Sequence, residues 1–298
     1  MTTWFLPVLI SAVFLGFYSL SVKHAVRGNA LMPVLFYATL CGSGFYVAGL
    51  LAGGRWREVV AVDFAIPALV LIKSLLVATS FIGVYYGLRE LPISIAAPIR
   101  SSSPLWTFFG GVALYNEVPT LGQAAAAAVI FGGYALFSLL GSREGISFAR
   151  HRGLHLLAGG TLLAAGSTLY NKFLITVALV PRETMQFWYA VELVTALGIF
   201  WLISHRRGVR VRGAVPRKFQ WRFSIPLSGV LLILADYLYF YALSLPNTPI
   251  SQVDLVRRCS VVIAFTAGAY YFHDKNVAAK GGALAVILLG VTLLAWWH

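Results

Sequence analysis

Apolar segments of about twenty residues recur along the whole chain, and no other feature constrains its fold more. Each is long enough to cross roughly 30 Å of hydrocarbon as a helix rising 1.5 Å per residue. The expected spans are Trp4–Val22, Leu31–Leu51, Ala65–Gly87, Ile93–Leu114, Leu121–Leu140, Leu154–Val180, Thr184–Ser204, Phe223–Ser244, Ile250–Phe272 and Ala279–Trp297. Hydrocarbon holds no water to satisfy backbone N–H and C=O groups, so such segments must be helical. Of the 298 residues 59% are hydrophobic and only 11% are charged, against about 25% charged in a soluble domain. The chain is therefore expected to be an all-α integral membrane protein with ten transmembrane helices.

The net charge of +13 raises the question of nucleic acid. Its distribution answers no. The densest basic run holds Arg206, Arg207, Arg210, Arg212, Arg217, Lys218 and Arg222, and it lies between two apolar segments. At a membrane boundary such a run reads as a cytoplasmic loop facing anionic lipid. With Lys23 and Lys172 set aside at helix ends, the loops after odd-numbered spans hold fourteen Lys and Arg against three in the other set. The positive-inside rule places the first set in the cytoplasm and both termini outside. Cys41 and Cys259 sit in apolar segments and form no disulfide framework. The first span lacks a basic n-region and a cleavage site, so it reads as retained.

The two halves are related. PISIAAPIR in span four matches PISQVDLVR in span nine, and ALYNE matches YYFHD. A shift of 157 residues carries Pro92 onto Pro249, Ser94 onto Ser251, Arg100 onto Arg257, Glu117 onto Asp274 and Gly133 onto Gly290. SLSVK, ending at Lys23, resembles TLYNK, ending at Lys172. Residues 1–141 form the expected first five-helix repeat, 142–153 a linker and 154–298 the second repeat. Five spans per half is an odd number, so the repeats must be inverted. Inverted repeats are the architecture of secondary transporters, with the solute site near the midplane between them.

Ionisable groups deep in the bilayer cost several kcal/mol each unless paired or wetted, so they are the informative residues. They are Lys73, Arg100, Arg257 and Arg258 on one side of the charge balance, and Glu192, Asp236 and Asp254 on the other. Asp254 and Arg258 stand at i and i+4 and can pair along one helix face. Structural ion pairs could account for the rest, yet four cations against three anions leave one positive charge over. An anionic solute would offset that excess. Glu192 and Asp236 are also candidate carriers of a coupling proton. Trp188 and Tyr237, each within about a turn of a buried acid, are candidate solute-binding aromatics, chosen from a group that includes Tyr18, Tyr189 and Tyr239. Lys23 and Lys172 read as snorkelling side chains. Glu117 and Asp274 read as carboxylates complementing the N-termini of the helices they precede. The histidines show no paired metal spacing, and no nucleophile elbow, P-loop or dinucleotide fingerprint stands in its required context. No catalytic residue, metal or cofactor is expected.

Ten spans in two five-helix halves, with an acidic residue closing the fourth helix of each, resemble the drug/metabolite transporter superfamily in its EamA-like ten-helix form. The resemblance implies alternating access between the halves, and termini on the cytoplasmic side, opposite to the charge count. Arg100 followed by Pro104, and the pair Arg257–Arg258, resemble helices four and nine of the triose-phosphate/nucleotide-sugar translocator branch. That likeness implies that Arg100, Arg257 and Arg258 clamp an anionic group, as the planar guanidinium can do bidentately. Arginine in place of lysine, and Asp254 beside the pair, depart from the branch.

The leading expectation is a secondary active transporter of a small organic metabolite, phosphorylated or carboxylated. The alternatives are an exporter of amino acids or drug-like solutes and, in another class, an integral-membrane lipid-modifying enzyme. The expected partners are the solute and membrane lipids, without nucleic acid, in a monomer or homodimer of a bacterial inner membrane.

Overall fold

The computed structural model describes residues 3–90, 99–100, 102–139, 152–206, 218–260, 263 and 277–296. Every regular element among them is helical: α1 (Phe5–Val26), α2 (Leu31–Ala52), α3 (Trp56–Val60), α4 (Ala65–Glu90), α5 (Ser103–Tyr115), α6 (Leu121–Leu139), α7 (Arg152–Lys172), α8 (Arg182–Arg206), α9 (Ser224–Leu243), α10 (Ile250–Arg257) and α11 (Val277–Trp296). Among the described residues five stretches are long and apolar enough to cross a membrane: α1, α2, Ala65–Val84 of α4, α8 and α9. Asp274 and most of the PISIAAPIR segment lie outside the described residues.

Local chemistry sets the helix ends. α1 stops before Gly28, which adopts φ +72°. Asn29 then stitches two segments together. Its Nδ2 donates to Ala25 O at 3.1 Å and to Gln220 O at 2.6 Å, while its Oδ1 accepts from the Ala30 and Gln220 amides at 2.8 Å each. α5 opens with Pro104 in its first turn and ends at Asn116, held left-handed at φ 50°. Asparagine tolerates that conformation better than other side-chain-bearing residues.

Two expected spans are interrupted. The segment expected as Leu154–Val180 leaves the α-helix after Lys172, widens to a π turn over Phe173–Val177 and ends near Leu179 at φ 52°. The segment expected as Ile250–Phe272 breaks at Arg258–Cys259, where Cys259 N–H donates to Val256 O at 3.0 Å in a tighter turn. Hydropathy averaged over a span is blind to such breaks, because what changes is the backbone bonding. The short α3 was not foreseen either.

The helices pack reciprocally. α1 lies on α9 and α10, and α7 lies on α4 and α5. α2 lies on α9, and α8 on α4; α2 meets α8, α5 meets α10 and α6 meets α11. When α1, α2, α4, α5 and α6 are matched in order to α7, α8, α9, α10 and α11, every one of these contacts has its counterpart. Small residues permit the close approach. A Cβ on Gly42 would stand 2.4 Å from Gly229 O, and one on Gly160 would stand 2.7 Å from Val84 N. Ser11 Oγ donates to Ala235 O, and Ser80 Oγ to Gly160 O, each at 2.7 Å.

The helix ends gather at two faces. At one, Arg222 donates to His24 O and Arg27 O at 2.7 Å each. At the other, Arg55 pairs with Glu183, and Lys172 pairs with Glu117. This corrects two expectations. Lys172 is ion-paired rather than snorkelling. Glu117 serves the N-terminus of α10, not that of α6, which follows it.

Candidate functional site

Lys73, on α4, is the centre of the site. Its side chain is buried, at 1% exposure, and among the described residues nothing accepts a hydrogen bond from its Nζ. Two ring faces cover it instead. The Nζ lies 3.5 Å from the Tyr189 ring centroid on α8 and 4.1 Å from that of Phe240 on α9. Ring quadrupoles attract an ammonium, and the attraction strengthens when water is absent. Rings accept no conventional hydrogen bonds, so the three N–H donors of Lys73 keep an unmet demand.

Around Lys73 the other mid-depth charges divide. Asp236 on α9 pairs with Arg257 on α10. Arg257 Nε also donates to Ser11 Oγ at 3.3 Å, and its guanidinium lies 4.2 Å from the Tyr239 ring centroid. Three helices, α1, α9 and α10, thus meet at one arginine. Arg258 Nε lies 3.7 Å from Asp254 Oδ1, and its Nη2 donates to Ser103 Oγ at 3.1 Å. Asp254 is buried, and its second carboxylate oxygen has no partner among the described residues.

Glu192 on α8 accepts from Ser74 Oγ at 2.8 Å. Ser74 adjoins Lys73 in sequence, and Tyr189 precedes Glu192 by one turn on the same helix face. Lys73 and Glu192 are therefore near neighbours across the α4–α8 contact, yet they form no ion pair among the described residues. Arg100 is exposed, within electrostatic reach of Arg258 and Tyr18, and likewise has no carboxylate partner there. With two pairs closed, Lys73 and Arg100 stand against Glu192, and the excess of one positive charge persists.

The two chosen aromatics lie elsewhere. Trp188 Nε1 donates to Val59 O at 3.2 Å, which fastens α8 to α3. Tyr237 borders a cavity of about 170 Å³ with Tyr46, Arg55 and Glu183, and its ring centroid lies 5.6 Å from the Arg182 guanidinium. The rings at the site are Tyr189, Tyr239 and Phe240. Helical phase separates them: Tyr239 and Phe240 stand three and four residues beyond Asp236 and share its face, whereas Tyr237 is rotated about 100° away. Ser11 and Ser74 carried no signal in the sequence.

The fold is shared with a solved crystal structure at TM-score 0.70 and 16% identity, covering 97% of this chain and 96% of that one. No curated protein matches. Residues 2–139, the segment that carries Lys73 and Glu117, match the model of the EamA-like transporter family.

Proposed function

We propose that the chain is a secondary carrier that moves a small organic anion across a cell membrane, a bacterial inner membrane, by alternating access. The observation that carries this reading is Lys73, a buried ammonium held between two aromatic rings and without an acceptor among the described residues. A desolvated, unpaired charge costs several kcal/mol. An anionic oxygen arriving at Nζ offsets that cost, and the rings of Tyr189 and Phe240 offer an apolar wall for the body of the solute. Arg257 is the second contact, held by Asp236 until the solute's negative charge competes for it. Arg100 and Arg258 complete the positive lining.

Rings cover two sides of Lys73, and the guanidinium of Arg257 is already shared with Asp236. One singly charged group therefore fits better than a phosphate dianion, so carboxylates rank ahead of phosphorylated solutes. A zwitterion is a second reading, favoured by Glu192 beside Lys73, with no ion pair of its own among the described residues.

The reciprocal packing supports two inverted five-helix repeats, residues 1–141 and 154–298, rocking about this centre. Thermal stabilisation of the purified protein by a panel of carboxylates, phosphates and amino acids tests the reading, followed by uptake of the hits into liposomes. Ligands that bind the native state alone raise stability with occupancy. Stabilisation by carboxylates that is lost in Lys73→Met is expected. A panel in which only neutral or cationic solutes bind, with Lys73→Met unaffected, overturns it.

A further inference from the structure

We propose that Glu117 is a positioning residue for the solute site, acting through α10. Its two carboxylate oxygens cap this helix from the other half of the chain. Oε1 accepts from the Ile250 amide at 2.7 Å, and Oε2 accepts from the Ser251 amide at 2.9 Å. α10 has no side-chain cap of its own, since Pro249 precedes it. Lys172, at the end of α7, ion-pairs with the same carboxylate and donates to Thr248 O at 3.2 Å. Glu117 and Lys172 are mostly buried, their side chains 9% and 13% exposed. A buried carboxylate here is sustained by a cation and two amides together.

The geometry is specific to Glu117. The left-handed Asn116 ends α5 and reverses the chain, so the Glu117 side chain folds back over Gly111. A Cβ on Gly111 would stand 2.7 Å from Glu117 Oε2. α10 then runs only eight residues, about 12 Å, from the clamped amides to Arg257. One end of this lever is held by Glu117 and the other by Asp236. Movement of Arg257 toward a solute must load the clamp, and release of the clamp must free Arg257. A cavity of about 690 Å³, bordered by Glu117, Lys172, Thr248, Ser251 and Gln252, opens at the clamped end. The clamp residues Glu117, Lys172 and Ser251 are also among the positions that match between the two halves of the sequence.

This role rests on the carrier reading, but its test needs no solute. Cys259, buried just past Arg258, reports on α10, and Cys41 on α2 serves as the internal standard. The probe is a water-soluble maleimide on protein in lipid nanodiscs. Loss of a hydrogen-bonded charge is expected to speed Cys259 labelling at least about tenfold in Glu117→Gln. Gly111→Ala, which displaces the carboxylate without changing charge, is expected to do the same, with Cys41 unchanged in both. The swap Glu117→Lys with Lys172→Glu restores the charge pair but leaves the amides uncapped, so it is expected to stay fast. Labelling of Cys259 at the wild-type rate in Glu117→Gln and Gly111→Ala overturns the proposal. So does a swap that returns to the wild-type rate, or a rise at both thiols together, which reports general loosening.

Discussion

Ile287 fills the space that Gly133 leaves open: a Cβ on Gly133 would stand 2.7 Å from Ile287 Cγ1. The relation is mirrored, because a Cβ on Gly290 would stand 2.6 Å from Ile130 Cγ1, and both residues of each pair differ from their counterparts by 157 positions. One residue pair therefore occurs twice, and α6 and α11 lock through it. Overpacking such a contact costs about 1–3 kcal/mol. Gly133→Val and Gly290→Val are each expected to lower the melting temperature in nanodiscs. Ile287→Ala is expected to recover part of the loss in Gly133→Val. The recovery stays partial, because the added Cβ also meets Ile287 N at 3.0 Å and Ala283 O at 3.2 Å.

Lys73→Met exchanges an unsatisfied ammonium for an apolar chain of similar length. Removing a buried charge that has no partner is expected to leave stability unchanged or raise it. Anion-dependent thermal stabilisation and uptake are expected to vanish in the same variant. Lys73→Arg is not expected to restore them, because a planar guanidinium does not reproduce the compact ammonium that Tyr189 and Phe240 enclose. Opposite signs on stability and function separate a binding lysine from a structural one.

Asp236 and Arg257 make the converse case. Asp236→Asn leaves the guanidinium without its counter-ion, and breaking a buried pair this way costs about 3–5 kcal/mol. The double variant Asp236→Leu with Arg257→Met is expected to regain most of the melting temperature, while uptake stays absent. A double variant as unstable as Asp236→Asn would mean that Ser11 and Tyr239, rather than the charge pair, hold these helices together.

Under the carrier reading, with Asp236 held by Arg257, Glu192 is the acid proposed to carry a coupling proton. Its partner Ser74 donates a single hydrogen bond, so a proton can come and go without breaking an ion pair. Among the described residues, Ser74 and Lys73 on α4 are the polar groups that act on it. Glu192→Gln is expected to make uptake independent of pH and to abolish acceleration by an imposed pH gradient. Uptake in this variant that still follows the pH gradient rejects the coupling role.

The membrane class was legible, and the charged residues within the spans could be singled out, because each leaves a one-dimensional trace. Twenty-residue hydropathy marks spans, and ionisable residues inside them are rare enough to stand out. What pairs with what was not legible. Asp254–Arg258 could be named because both lie on one helix, but Asp236–Arg257 and Glu117–Lys172 join different elements. Glu117 shows the limit best. Its sequence neighbour is α6, and only the reversal at Asn116 turns it toward α10. The breaks after Lys172 and Arg257 were hidden for a related reason, since they change backbone bonding and leave hydropathy untouched.

Orientation is where the sequence offers two opposing answers. Arg222 ties the approach to α9 to the end of α1, so these two loops share a face. Glu117, Lys172, Arg55 and Glu183 mark the opposite one. Fourteen loop Lys and Arg belong to the set that includes Arg27 and Arg222, against three in the other. The positive-inside rule then puts the Arg222 face in the cytoplasm and the Glu117 clamp outside, whereas likeness to the superfamily puts the termini inside. The charge count is the better guide, because insertion responds to the loops a chain actually carries. In a background without Cys41 and Cys259, Val118→Cys sits beside the clamp at a position 86% exposed. A membrane-impermeant maleimide is expected to reach it in intact cells. A cysteine at Gly213, in the basic loop outside the described residues, is expected to react only after permeabilisation. The reverse pattern inverts the orientation and places the clamp on the cytoplasmic side.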